Sequence, residues 1–136
     1  MFSERCSETP VNRTIIANGT SITSGVTYSL STISLTHGVW NVFGQIAYKC
    51  SSVSGTGSIS YNGFGVANNT TTFGNYRIEN YSTQSVAVNN TYADQIVRIQ
   101  TILTNVNVSL NHTIVFSNCT LTTLANQSFL TATRIA

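Results

Sequence analysis

Glu4, Glu8, Glu79 and Asp94 are the only carboxylates in this 136-residue chain. Acid/base hydrolysis of a glycosidic bond needs two carboxyl groups facing each other across a cleft. With Glu4 and Glu8 near the N-terminus, only a fold that brings Glu79 to Asp94 would supply such a pair. His37, His112, Cys50 and Cys119 could form a zinc set in principle, but they are spread over separate segments and lack the short paired spacings of zinc ligands. They read instead as independent turn histidines and buried thiols at strand ends. Ser, His and Asp are all present, yet no G-x-S-x-G elbow exposes a nucleophile. The G-x-G pairs in "SGTGS" and "NGFGV" precede no helix, which excludes a nucleotide loop. The sequence therefore implies no catalytic residue, no metal and no cofactor.

Charged side chains make up 7% of residues, against about 25% in ordinary soluble domains. Solubility must then come from hydroxyls and amides. No Lys/Arg cluster could track a phosphate backbone, so nucleic acid is not an expected partner. No apolar run approaches the roughly 20 residues of a membrane span, and "MFSERCSETPVNRT" has no signal-type apolar core. The odd cysteine count, with Cys6 in the leader, argues against a disulfide scaffold, although a Cys50–Cys119 bridge stays open in an oxidising environment.

Thr, Val, Ile, Tyr and Phe recur in short runs broken by Gly, Asn and Ser, a pattern of strands with almost no helix. A flexible leader over 1–10 precedes one domain over 11–136. "VNRTII" (11–16) is an expected edge strand, followed by a turn at Asn18-Gly19. Residues 26–35 change phase at Ser31-Thr32, which requires a bulge. In "LTHGVWNVFGQIAYKC" the even positions Trp40, Val42, Ile46, Tyr48 and Cys50 form a core face, and the odd face is mixed. Phe43 on that mixed face is either a satellite contact beneath a loop or part of a subunit interface. "SSVSGTGS" (51–58) reads as a flexible connection. The run from Asp94 to Leu110 reads as one long strand whose apolar positions change parity near Gln100. The C-terminal "SFLTATRIA" alternates cleanly and should be locked into a sheet. About eight short segments suit an antiparallel two-sheet jelly-roll sandwich better than an open sheet. Strands apolar on both faces, with no helix to cover them, point to a symmetric homo-oligomer.

The candidate binding residues are Tyr61, Asn62, Phe64, Phe73, Asn75 and Tyr76, with Tyr81 nearby. Flat aromatic faces combined with amide and hydroxyl groups are what sugar recognition requires. Core aromatics and turn asparagines account for the same residues taken singly. Ten N-x-S/T sequons, at Asn12, Asn18, Asn68, Asn69, Asn80, Asn89, Asn107, Asn111, Asn118 and Asn126, exceed the about four expected by chance, but they also sit where Asn serves turns.

Leu35, Gly38, Trp40, Val42 and Gly44, together with the terminal "ATRI" of Ala132 to Ile135, resemble the C-terminal head domains of phage and viral fibres. More loosely they are similar to the trimeric C1q and tumour-necrosis-factor jelly rolls. The resemblance implies a compact homotrimer on the virion surface, joined to an upstream fibre shaft or other virion proteins, that binds a host-surface glycan or protein receptor without catalysis. It implies that Trp40 is a core residue, and it leaves open a structural capsid or decoration protein on the same fold.

Overall fold

The computed structural model describes residues 11–15, 20–70, 72–74 and 76–136, without the side chains of Val11, Asn12, Arg13 and Ile15. The expected leader, the Asn18-Gly19 turn, Glu4, Glu8, Cys6 and Asn75 lie outside the described residues. The elements are β1 (Val11–Ile15), β2 (Thr27–Leu35), β3 (Gly38–Asn68), β4 (Tyr76–Asn80), β5 (Gln84–Val86), β6 (Thr91–Ile102), β7 (Val106–Thr123) and β8 (Phe129–Arg134). All the pairings are antiparallel.

The 31-residue β3 organises the molecule. Its first part lies between β6 and β8, and β8 carries β1 on its far edge. Its second part lies between β7 and the short strands β4 and β5, with β2 on the far edge of β7. The result is an all-β jelly-roll sandwich whose first sheet runs β6-β3-β8-β1 and whose second runs β4/β5-β3-β7-β2. β8 is an interior strand: it sits between β1 and β3 and buries Leu130 and Ala132.

One core fills the space between the sheets. Trp40, Val42, Ile46, Tyr48 and Cys50 of β3 face it, as the parity of the opening motif requires. They meet Ile96 and Ile102 of β6, Leu130 of β8, Ile33 and Leu35 of β2, and Val108, Leu110, Ile114 and Leu121 of β7. Trp40 is 1% exposed, and its indole Nε1 donates to the Thr36 carbonyl at 2.8 Å, so its polar edge is satisfied. Truncating so large a buried ring costs about 3–5 kcal/mol in typical cores. Gly44 allows the sheets to approach, since a Cβ there would meet Leu110 Cδ1 at 2.9 Å. Gly38 adopts φ +148° beneath Arg134, where a side chain would strain the backbone as well as collide.

Several sequence expectations are corrected. Residues 51–58 are strand throughout and make no loose connection. Register shifts between Val53 and Ser58 let β3 turn a corner at Gly55, φ +73°, opposite Asn118, φ +58°. The bulge in β2 falls between Ser29 and Ser31, close to its expected place. The run from Asp94 to Leu110 is not one strand: it breaks at residues 103–105 between β6 and β7. No parity change occurs at Gln100 either. β6 pairs with β3 in unbroken register, and Val97 and Ile99 point outward while Ile96, Gln100 and Ile102 point in.

Candidate binding surfaces

The outer face of the second sheet holds an aromatic and charged group at the β3–β4 ladder. Strand alternation puts Tyr61, Gly63 and Gly65 on one face of β3; Gly63 pairs with Glu79 and Gly65 with Arg77 of β4, and Tyr81 lies just beyond that strand. Tyr61 donates its phenol to Glu79 Oε1 at 2.7 Å, and Tyr81 donates to the same oxygen at 3.3 Å. Arg77 Nε lies 3.2 Å from Glu79 Oε2. The two tyrosine rings stand 5.0 Å apart at 55°. Tyr61 lies against Gly63, whose missing Cβ would collide with the phenol. Burial, then the hydrogen bond to Glu79, pushes the Tyr61 phenol above its ordinary range, keeping it a proton donor.

The other candidate residues diverge from this group. Phe64 is 4% exposed, faces the core and meets the His112 ring edge-on, so it presents nothing to a partner. Asn62 also turns inward. Phe73 is half-buried in the loop after β3. Tyr76 lies on the inner side of β4 with its ring 3.9 Å beneath the Arg98 guanidinium, which donates to the Val66 carbonyl at 3.1 Å. The parity of β3 separates Tyr61 from Asn62 and Phe64, and an aromatic count alone cannot register that. Arg77 and Glu79 carried the missed signal: at alternate positions with Tyr81, they share its face.

Asn62 belongs instead to a buried polar group that the sequence reading did not anticipate. Its Nδ2 donates to Asp94 Oδ2 at 2.6 Å, and its Oδ1 receives His112 Nε2 at 2.8 Å. His112 Nε2 is 4.0 Å from Asp94, and its ring packs 5.7 Å from Tyr48, which stacks on Tyr92. At 1% exposure, His112 is a core residue on β7 rather than a turn histidine. Burial lowers its pKa to about 3 and raises that of Asp94, the latter partly offset by Asn62. Glu79 stands on the outer face of the second sheet with Tyr61 and Arg77, whereas Asp94 turns inward onto Asn62, so the two carboxylates do not face each other as a hydrolytic pair. Cys50 is buried and Cys119 half-buried, both as free thiols, so the open bridge is not formed. Among the described residues no three His, Cys, Asp or Glu side chains gather as a metal site.

Beside the second sheet runs a shallow groove of about 580 Å³, lined by Ser29, Thr32, Asn69, Thr70, Asn107 and Ser109. Its wall is fixed from both ends. Asn107 and Asn69 exchange hydrogen bonds at 2.7 and 2.8 Å, and the fully buried Asn111 donates to the Thr70 and Thr72 carbonyls at 3.1 and 2.6 Å. The sequon at Asn111 is thus a structural clamp. Asn69, Asn89, Asn118 and Asn126 all take positive φ, so turn geometry accounts for asparagine at these sequons.

The outer face of the first sheet is of a different kind. Val97 and Ile99 are 61% and 62% exposed, Leu103 extends the strip at the end of β6, and Phe43 packs its ring 5.5 Å from Phe129. Around them lie Asn41, Gln45, Gln95, Thr131 and Thr133. None of these outward-facing side chains is charged; Arg98 of β6 and Arg134 of β8 follow the other parity.

No protein-family model and no curated protein matches the chain. Solved structures do share its fold. A structure of the TNF protein Eiger from S. frugiperda aligns over 94% of this chain and 93% of its own length, with TM-score 0.59 and 9% identity. The T13 viral particle of infectious bursal disease virus aligns over 94% of this chain, with TM-score 0.53 and 13% identity. The VP2 subviral particle of that virus aligns over 95%, with TM-score 0.52 and 10% identity. The chain spans 36% and 38% of those two viral chains. At these identities the likeness is one of fold: this chain is an all-β jelly roll of the architecture found in TNF and in viral capsid proteins.

Proposed function

We propose that the chain is a non-catalytic attachment domain on a virion surface, assembled as a homotrimer and binding a host-surface receptor. The observation that carries this reading is the contrast between its two outer faces. An uncharged apolar strip containing Phe43, Val97 and Ile99 suits burial against a copy of itself, because its exposure to water is unfavourable and its burial leaves no charge unpaired. The opposite outer face presents Tyr61, Tyr81, Arg77 and Glu79, which suit a polar partner. In this reading Phe43 is an interface residue, and a shaft or another virion protein holds the trimer.

Native mass measurement of the purified chain tests the assembly. A mass three times the 14.7 kDa of one chain is expected, and a monomer at high concentration overturns it. Binding of the purified protein to host cells tests attachment. A structural capsid or decoration protein is the second reading, favoured by the same apolar strip; closed particles or large assemblies in place of a discrete trimer would select it.

A further inference from the structure

Resting on the attachment reading above, we infer that the tyrosine pair on the β3–β4 ladder is the receptor contact, and that it takes an uncharged pyranose at the end of a glycan. Tyr81 is 71% exposed, the most exposed of the described large hydrophobic side chains apart from Leu103. A tyrosine ring left in water on a strand end exposes an apolar face that the C–H side of a sugar ring would cover. Its hydroxyl is tied to Glu79, so the ring is oriented while most of it stays in water. Tyr61 packs against one side of it, ring centroids 5.0 Å apart, and is held by Glu79 and by its seat on Gly63. Holding both rings before a ligand arrives reduces the entropy lost on binding.

The polar groups beside the tyrosine pair favour hydroxyls over acids. Glu79 offers carboxylate lone pairs and Arg77 offers guanidinium N–H groups side by side, an acceptor next to a donor, which matches neighbouring hydroxyls of a sugar. Their charges cancel, so the pair has no net attraction for an anionic sugar. Asn62 and Phe64 take no part, because they face the interior. The hydroxyl-lined groove near Asn107 is not this site: it presents no aromatic lining residue on which a ring could stack.

The test is an array bearing galactose-, N-acetylgalactosamine- and N-acetylglucosamine-terminated glycans together with their sialylated forms, probed with the intact chain and with Tyr81→Ala, Glu79→Gln and Arg77→Gln. Wild type is expected to bind one or more neutral termini. Tyr81→Ala should raise the half-saturating concentration about tenfold or more, Glu79→Gln several-fold, with melting temperatures close to wild type. Binding unchanged by Tyr81→Ala overturns the assignment. Binding confined to sialylated glycans and lost in Arg77→Gln overturns the neutral class. No glycan binding, with host-cell binding that survives enzymatic removal of cell-surface sugars, overturns the inference and leaves attachment through a protein receptor standing. Loss of cell binding altogether removes both.

Discussion

The outer faces of the two sheets are built from the same strand, β3, yet they differ in every property that governs association. On the first sheet the outward residues of β3 and β6 are Asn41, Phe43, Gln45, Gln95, Val97 and Ile99, an uncharged strip with an apolar centre. On the second, Tyr61, Arg77 and Glu79 form a hydrogen-bonded group whose charges satisfy one another. A chain with few charged residues has placed some of them at the centre of one face and none within the apolar strip of the other. This teaches that the scarcity of charge is not spread evenly, and that the bare face is the one suited to burial.

The contrast breaks most decisively if the apolar strip is charged. The double substitution Val97→Lys with Ile99→Lys should convert the expected trimer to monomer, raising the dissociation constant at least about 100-fold, because buried like charges repeat around a symmetric contact. Sedimentation or light scattering reads this directly, and an unchanged oligomer would move the interface elsewhere.

The interior between the faces should respond to acid. Folded His112 stays neutral down to about pH 3, whereas an unfolded imidazole takes its proton near 6.5. The unfolded chain then binds more protons across that window. Stability is full above pH 6.5 and falls as the pH drops toward 3, by up to about 1.4 kcal/mol per pH unit. Asp94, raised by burial, works in the opposite sense. Melting temperatures at pH 7 and pH 4 should separate more for wild type than for His112→Gln, which keeps a donor toward Asn62; parallel curves would remove His112 as the cause.

A smaller loss is expected at Asn111→Ala, which leaves the Thr70 and Thr72 carbonyls without their donor. It should cost about 2 kcal/mol and raise hydrogen exchange in residues 69–74 before the rest of the sheet. The smallest effect belongs to Tyr61→Phe, which removes one half-exposed hydrogen bond to Glu79. Unfolding in denaturant should show a change of at most about 1 kcal/mol, sharpening the view that the tyrosine pair serves a surface role.

Much of the fold was legible because strand parity is a local property. The even-position core of the Trp40 strand and the inward Leu130 and Ala132 of β8 follow from residue alternation alone. The β6–β7 break was missed because residues 103–105, Leu-Thr-Asn, carry neither Gly nor Pro. The outward Val97 and Ile99 then looked like a parity change, since exposed apolar residues on a sheet imitate a shifted core. The candidate site was legible only in part. Aromatic content pointed to Tyr61 and Tyr81, but Phe64 and Asn62 follow the other parity and lie inside.

The amino-acid sequence by itself determined an all-β chain, the faces of its Trp40 and C-terminal strands and its buried tryptophan, since each depends on composition or on neighbours two residues apart. Only the tertiary structure decided that His112 meets Asp94 through Asn62, that Tyr61 and Tyr81 converge on Glu79, and that the charge-free strip lies on one outer face. Those groupings join residues 18 to 50 positions apart or lying on different strands, and they exist only once β3 has turned its corner and chosen its neighbours.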